Sequence, residues 1–250
     1  MNHASLERLV PDRVEPGEAT GRETLELHQQ RYQFAARHLH PGRLLDIACG
    51  VGYGTKWMTG AAPQVRIGLG LDLDAAAVEY ARERYADART QFQQGDVLAF
   101  EDAAGFDSVV SLETIEHVPD PQRFVQRLAR LLVPGGVLIA SVPTTPSVDL
   151  NPHHLSDFTR HSFRRLLARN GLEEIDSLLQ VQRVSPFSVL FRRELRMAGL
   201  RRNLPAWYLH HPSALLRRVG ATLRYGFKNH YLTVVCRAAG GDTLPSEHCS

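Results

Sequence analysis

The sequence has little of what would assign it quickly to a specialised class. Cysteine is scarce: Cys49, Cys236 and Cys249 are odd in number and far apart. That excludes a disulfide framework and a clustered thiolate metal site, and it fits a reducing compartment. An excess of one charge is missing too, the formal net charge being only +2. No polyanionic partner follows from that sum, so the position of the charges matters more. No run approaches the roughly 18 consecutive apolar residues of a spanning helix. The start lacks the basic segment and apolar run of a secretory signal. Internal repeats, low-complexity tracts and a separate nucleic-acid-binding module are absent as well. Together these absences predict a soluble, cytoplasmic protein.

What remains is an ordinary globular composition, 43% hydrophobic and 22% charged over 250 residues. That length holds one α/β domain with appended segments, or at most two small domains. Residues 1–19, with Pro11, Pro16 and Gly17, read as a flexible lead-in. From Thr20 to Leu39, apolar residues recur at helical spacing until Pro41-Gly42. Strands and helices then alternate. Strands are predicted at 43–48, 65–71, 90–93, 106–112 and 137–142, with helices at about 53–59 and 121–132, the latter stopped by Pro134-Gly135-Gly136. Asp74 and Thr159 are positioned to cap two more helices, the second ending at Asn170-Gly171. This alternation predicts a parallel sheet with helices on both faces, which binds ligands beyond the carboxyl ends of its strands. The core is assigned to residues 20–185, a basic helical insertion to 186–228, a final strand to 229–238 and a flexible tail to 239–250.

The acids and glycines gather at those carboxyl ends. Asp46-Ile47-Ala48-Cys49-Gly50-Val51-Gly52-Tyr53-Gly54 joins a strand to a helix, a turn in which a ligand can approach bare backbone. A dinucleotide site wants G-x-G-x-x-G; here Thr55 stands where the third glycine would fall. Three acids after three successive strands suit a cationic nucleoside better. Asp46 can hold an ammonium group, Asp72 can accept two ribose hydroxyls, and Asp96 can accept adenine amino hydrogens. Ala48, Gly50, Gly52, Leu73 and Val97 would complete the cradle.

As a set, LLDIACGVGYG, GLDLD, QQGD, FDSVVSLETIEHV and LLVPGGVLIASVP resemble the motifs of class I S-adenosylmethionine-dependent methyltransferases over roughly residues 28–180. The resemblance implies a Rossmann-like sheet of seven strands with an N-terminal helix, a helical insertion before the last strand, and S-adenosylmethionine as cofactor. His28-x-x-Arg31-Tyr32 resembles a bacterial subgroup, in which Arg31 would reach the cofactor carboxylate and Tyr32 would pack beside it. The other reading makes Arg31 a solvated helix residue and Tyr32 a core residue.

Glu113, Glu116 and His117 follow the fourth strand, where the methyl acceptor should lie. Spacings of three and four would put them on one helical face, and two carboxylates with an imidazole suit a divalent cation. The loop Asn151 to Thr159 opens toward the same edge. E-x-x-E-H with the distal histidine loop resembles ubiquinone-pathway O-methyltransferases and small-RNA 2′-O-methyltransferases. Carried over, Glu113, Glu116, His117 and His154 would bind Mg, Mn, Fe or Zn, which the sequence does not distinguish, with His153 the alternative to His154 and Glu113 alternatively a cap or an acceptor of backbone hydrogen bonds. Without metal, His117 would be a general base with Glu116 as its catalytic partner, or a positioning group.

Between Pro186 and Lys228 stand nine arginines or lysines against the single acid Glu194, interleaved with apolar and aromatic residues. This predicts one or two amphipathic helices. A phosphate-bearing or carrier-bound acceptor, an acidic carrier protein, RNA or a membrane surface can meet such a face. Near-neutral total charge and the missing RNA-binding module argue against nucleic acid. The resulting expectation is O-methylation of a hydroxyl on a small molecule, natural product or glycan; RNA 2′-O-methylation and N- or C-methylation are the alternatives.

Overall fold

The computed structural model describes residues 19–183, 200–201 and 203–238. The predicted lead-in up to residue 18, the tail 239–250, and the insertion's residues 186–199 and Arg202 lie outside the described residues. Within them, the chain runs α1 (Ala19–His38), β1 (Gly42–Ile47), α2 (Tyr53–Ala61), β2 (Val65–Asp72), α3 (Ala75–Tyr85), β3 (Thr90–Gln94) and β4 (Phe106–Leu112). A 3₁₀ turn (Ile115–His117) leads into α4 (Pro121–Arg130), β5 (Leu132–Pro143), α5 (Arg160–Ala168) and β6 (Leu172–Arg183). After the insertion come α6 (Leu204–His210), α7 (Pro212–Tyr225) and β7 (Lys228–Ala238).

The helix boundaries follow from local chemistry. Asp74 accepts hydrogen bonds from the Ala76 and Ala77 N–H groups at the start of α3. Thr159 and Ser162 form a reciprocal capping box at α5, which satisfies two N–H groups that the first turn leaves unpaired. Gly171, at φ +70°, ends that helix with a backbone conformation costly to any side chain.

Strand order is β3-β2-β1-β4-β5-β7-β6. β1 pairs parallel with both β2 and β4, so the chain starts at the centre, works outward to β3, and returns to lay β4 on the other side of β1. The carboxyl ends of β1 and β4 therefore form the topological switch point, where such sheets leave a crevice. Alternate residues face opposite layers: Leu45, Val109 and Leu138 join α4 and α5 through Phe124, Leu128, Phe163 and Leu167. Leu44, Val110 and Ile139 meet α1 and α2 through Phe34, Leu39, Met58 and Ala62. Both faces are covered, which is why these strands read as continuous apolar runs. Each such fully buried Leu, Ile or Phe contributes about 2 kcal/mol of transfer free energy.

Two expectations need correction. The sheet is not wholly parallel: β7 runs antiparallel to β5 and to β6, because β6 and β7 form a hairpin whose second strand slots between β5 and the first. The helix predicted to Leu132 stops at Arg130, and Pro134-Gly135-Gly136 lies inside β5. Leu132 already pairs with Phe106, and pairing resumes at Val137 beside Ser108. Proline offers no N–H and Gly135 takes φ +75°, so these residues form an irregularity in the strand instead of a helix stop. Among the described residues no helix is long and apolar enough to cross a membrane.

Candidate functional site

β1 delivers Asp46 to the sheet edge as a buried carboxylate, with Thr55 Oγ1 from α2 donating to its Oδ2 at 2.6 Å. Burial pushes its pKa up to about 7, against the lowering effect of the Thr55 hydrogen bond and with a smaller push from Asp72. The chain then turns through left-handed backbone at Ala48, Gly50 and Gly52. Asp72, at the end of β2, ties the turn down: its Oδ2 accepts the Gly50 N–H at 2.8 Å and its Oδ1 the Asp74 N–H at 2.9 Å.

The glycines have separate reasons. A Cβ on Gly52 would lie 2.6 Å from both Ala81 and Phe92, and one on Gly54 would lie 2.2 Å from the Tyr32 ring. At Gly50 a Cβ would meet nothing, but φ is +55°. Close packing thus excludes a side chain at Gly52 and Gly54, and the left-handed turn favours glycine at Gly50 and Gly52. Asp96, after β3, is exposed and accepts the Leu98 N–H at 2.9 Å. Val97 beside it is core, whereas Leu73 beside Asp72 is exposed.

Arg31 is only 2% exposed, which removes the reading of it as a solvated helix residue. Its Nε donates to Gln180 Oε1 on β6 at 2.9 Å, and its guanidinium lies 4.8 Å from the Tyr231 ring centroid. Nη1 is buried, 3.4 Å from Glu113 Oε1 but with no hydrogen bond among the described residues. Tyr32 packs edge-to-face on Tyr53 at 5.5 Å, and burial holds its hydroxyl well above the ordinary phenol pKa. Cys49 is likewise a buried thiol pushed upward by desolvation, hence an unreactive one.

At the end of β4 the four candidate ligands divide. Glu113 sits at φ +51°, outside the 3₁₀ turn, and its Oε1 accepts from Ser141 Oγ at 2.8 Å besides facing Arg31. The expected helical face is therefore never formed at Glu113. Glu116, His117 and His154 do converge, with one ligand-type atom from each lying within 4.8 Å of the others. Glu116 is almost wholly buried. The His117 Nδ1–H donates to the His153 carbonyl at 3.2 Å, which turns Nε2 toward Glu116 Oε1, 3.9 Å away. His154 meets Ser147 Oγ at 2.6 Å through Nδ1. Burial, then the neighbouring His117 and His153, lowers its pKa to about 3, so its ring is neutral at physiological pH. Two imidazoles oriented by second hydrogen bonds, plus one buried carboxylate, fit a divalent cation.

Backbone bonds hold the histidine loop there: the Leu155 and Ser156 N–H groups donate to the Glu116 carbonyl at 2.8 and 3.2 Å. The same loop carries a residue that sequence reasoning missed. Asp149 receives Arg218 of α7 on both oxygens, one at 2.7 Å, and Tyr208 of α6 at 2.5 Å. Burial pushes its pKa up, but these bonds prevail and hold it below the ordinary carboxylate value. Tyr208, half-buried and hydrogen-bonded to that acid, is pushed up to about 12. Arg201 adds bonds to the Val148 and Asp149 carbonyls. A shallow cavity lies between, lined by Pro146, Val148, Asp157, Trp207, Ala214 and Arg217. One signal was available: an arginine-rich segment with a single acid of its own needs an acid elsewhere.

A family model described as a methyltransferase domain matches residues 45–140. A "Probable S-adenosylmethionine-dependent methyltransferase" of Mycolicibacterium smegmatis is 34% identical over 178 residues, 68% of this chain and 67% of that protein. A "Ubiquinone biosynthesis O-methyltransferase" of Xanthomonas axonopodis pv. citri is 29% identical over 178 residues, 61% of this chain and 73% of that protein. Across such curated relatives the matched stretch spans between 55% and 73% of their length. Among solved structures, the N-methyltransferase NodS from Bradyrhizobium japonicum in complex with S-adenosyl-l-homocysteine superposes with TM-score 0.59 at 16% identity, over 95% of each chain. At that identity the likeness is one of fold.

Proposed function

The chain belongs to the class I S-adenosylmethionine-dependent methyltransferases, and on that footing we propose that it methylates a hydroxyl oxygen of a small molecule, natural product or glycan with help from a divalent cation. The observation that carries this reading is the convergence of Glu116, His117 and His154 beyond β4. β4 neighbours the strand that delivers Asp46.

S-adenosylmethionine, when bound, supplies the electrophilic sulfonium methyl. Asp46, as an anion, pairs with the ligand's ammonium group, and the unbonded Nη1 of Arg31 meets its carboxylate. Asp72, already bonded to Gly50 and Asp74, presents its remaining lone pairs to the ribose hydroxyls, and Asp96 faces the adenine amino group. Exposed Leu73 gives the adenine ring an apolar contact. Val97 helps fix Asp96 from the core beneath, and Gly52 does the same for the turn.

A divalent cation, when bound, lowers the pKa of an acceptor hydroxyl. Glu116, His117 and His154 would hold it, while Glu113 fixes Arg31 and the end of β5 through Ser141. Asp149 keeps α6 and α7 over the histidine loop, narrowing access from solvent. The insertion's cations favour an acceptor that bears phosphate or is carried on an acidic protein.

Calorimetry with S-adenosyl-l-homocysteine and with NAD tests the cofactor: the first binds and the second does not. Failure of the first to bind removes the cradle assignment. Labelled-methyl transfer to hydroxyl and amine acceptor panels, with and without chelator, tests the chemistry. Label on oxygen that disappears on chelation is the expected result. Label on nitrogen, or oxygen methylation that survives complete chelation, overturns it.

A further inference from the structure

α7 turns two different faces outward and inward. Ala214 and Ala221 are buried against the fold, and half-buried Arg218 reaches Asp149 from the same side. On the opposite side Leu215, Leu216, Val219 and Leu223 are all exposed, Leu216 by 74% and Leu223 by 84%. At about 100° per residue these four fall within roughly a 100° arc. Arg217 and Arg224, both exposed, lie roughly 80–100° beyond one edge of that arc, between it and the buried face. Phe227, just past the helix, is exposed too, and Lys228 follows it. Leu209, near the end of α6, is 83% exposed. An exposed apolar row of this length, with cations on the adjoining flank of the helix and at its end, is uncommon on the surface of a self-contained domain.

The charges around it identify what fits. Residues 195–241 contain no Asp or Glu at all. A second copy of the chain would bring the same arginines against their equivalents in an isologous contact, so self-pairing is opposed by repulsion. An acidic protein would answer the cations, but it would also need a groove shaped for a single convex helix. A lipid surface needs no such shape: it accepts apolar side chains to the depth of the acyl boundary while anionic headgroups meet the flanking cations. We propose that the outward face of α7, with Phe227 and Lys228, docks the protein on an anionic lipid bilayer, the helix lying in the plane of the interface. The acceptor cleft, joined to α7 through Asp149 and Arg218, then stands beside the membrane.

Sedimentation of the full chain with phosphatidylglycerol–phosphatidylcholine vesicles, against pure phosphatidylcholine, tests this. It is read without cofactor, so it stands or falls separately from the methyl-transfer reading. The wild type pellets with the anionic vesicles and is released by high salt. Leu216→Ser with Leu223→Ser lowers the partition by ~10-fold or more. Arg224→Gln with Lys228→Gln lowers it by about 25-fold, at roughly fivefold per cation. All four side chains are exposed, so thermal unfolding should be unchanged; the charge pair serves as the second probe if the leucine pair misfolds. Undiminished vesicle binding by both variants overturns the proposal. So does a wild type that ignores anionic vesicles, or one that dimerises through this face and becomes monomeric with the leucine pair replaced.

Discussion

His154 stands edge-on to His117, their ring centroids 4.7 Å apart, although 36 residues of chain separate the two positions. The contact exists because the His154 loop is stitched by backbone to the Glu116 carbonyl. As a ligand through Nε2, His154 donates its Nδ1–H to Ser147, just as His117 donates its own to the His153 carbonyl. Ser147→Ala should therefore weaken divalent-cation binding by about 10-fold. Glu116→Gln and His154→Ala should remove it, and Glu113→Gln should leave it within about twofold. Metal titration calorimetry on the four variants checks the ranking. Equal losses at Glu113 and Glu116 would return Glu113 to the ligand set.

Asp46 should give the cofactor-free protein an unusual pH dependence. Its folded pKa, about 7, lies above the unfolded value near 4. The folded state therefore holds a proton that the unfolded state releases across this window. Stability contributed by the neutral carboxyl is present below about pH 4 and is lost as pH rises to about 7, by on the order of 4 kcal/mol. Asp46→Asn should flatten this part of the curve. Affinity for S-adenosyl-l-homocysteine should run the other way, rising up to about tenfold per unit below pH 7 as Asp46 ionises to meet the ammonium group. Unfolding and calorimetry between pH 5 and 8 read both trends, and a pH-independent affinity would contradict the pairing.

Much of the fold was legible because β1, β2, β4 and β5 announce themselves by apolar runs, and β3, with Phe92 alone apolar, by the Gly95-Asp96 that follows it. Asp74 and Thr159 cap where a cap was expected. β6 was harder: its burial pattern is largely exposed and it carries Glu173, Glu174 and Asp176, so no apolar run marks it as an edge strand. The direction of β7 depends on pairing with that strand, and local sequence does not encode it. Of the residues singled out by motif spacing, Asp46 and Asp72 lie at the turn after β1 and Glu116, His117 and His154 lie together after β4. The helical face expected to include Glu113 does not form, because a residue's entry into left-handed backbone is decided by its neighbours: here Ser141, whose backbone and side chain both bond the Glu113 N–H. Asp149 was missed because its partners lie 59 and 69 positions away.

Breaking the Asp149 contact should separate the insertion from the core. Asp149→Asn leaves Arg218 largely covered without its counter-charge, at a cost of about 2 kcal/mol, since Arg218 retains some contact with solvent. For a chain of this size that is roughly 4–8 °C in Tm. Cofactor affinity should be unchanged while the acceptor KM rises. A loss of cofactor binding equal to the loss of turnover would show that the contact supports the whole domain.

Gly54→Ala should destabilise by about 1–3 kcal/mol through overpacking, because its Cβ would meet the Tyr32 ring at 2.2 Å. Tyr32→Ala in the same chain should recover part of that loss. Additive losses in a double-mutant cycle would place the strain elsewhere.

The pairing of Arg183 with Lys228 has a further consequence. Residues 184–227 leave and re-enter the sheet at adjoining points of one hairpin, and beyond that doorway Arg201, Tyr208 and Arg218 tie the segment to Val148 and Asp149. A replacement segment of different length and chemistry can be grafted there for the modest extra entropy of a longer or shorter loop, without disturbing the register of any other strand. The segment can then be exchanged as a cassette, while the turn from Asp46 to Gly50 is left intact.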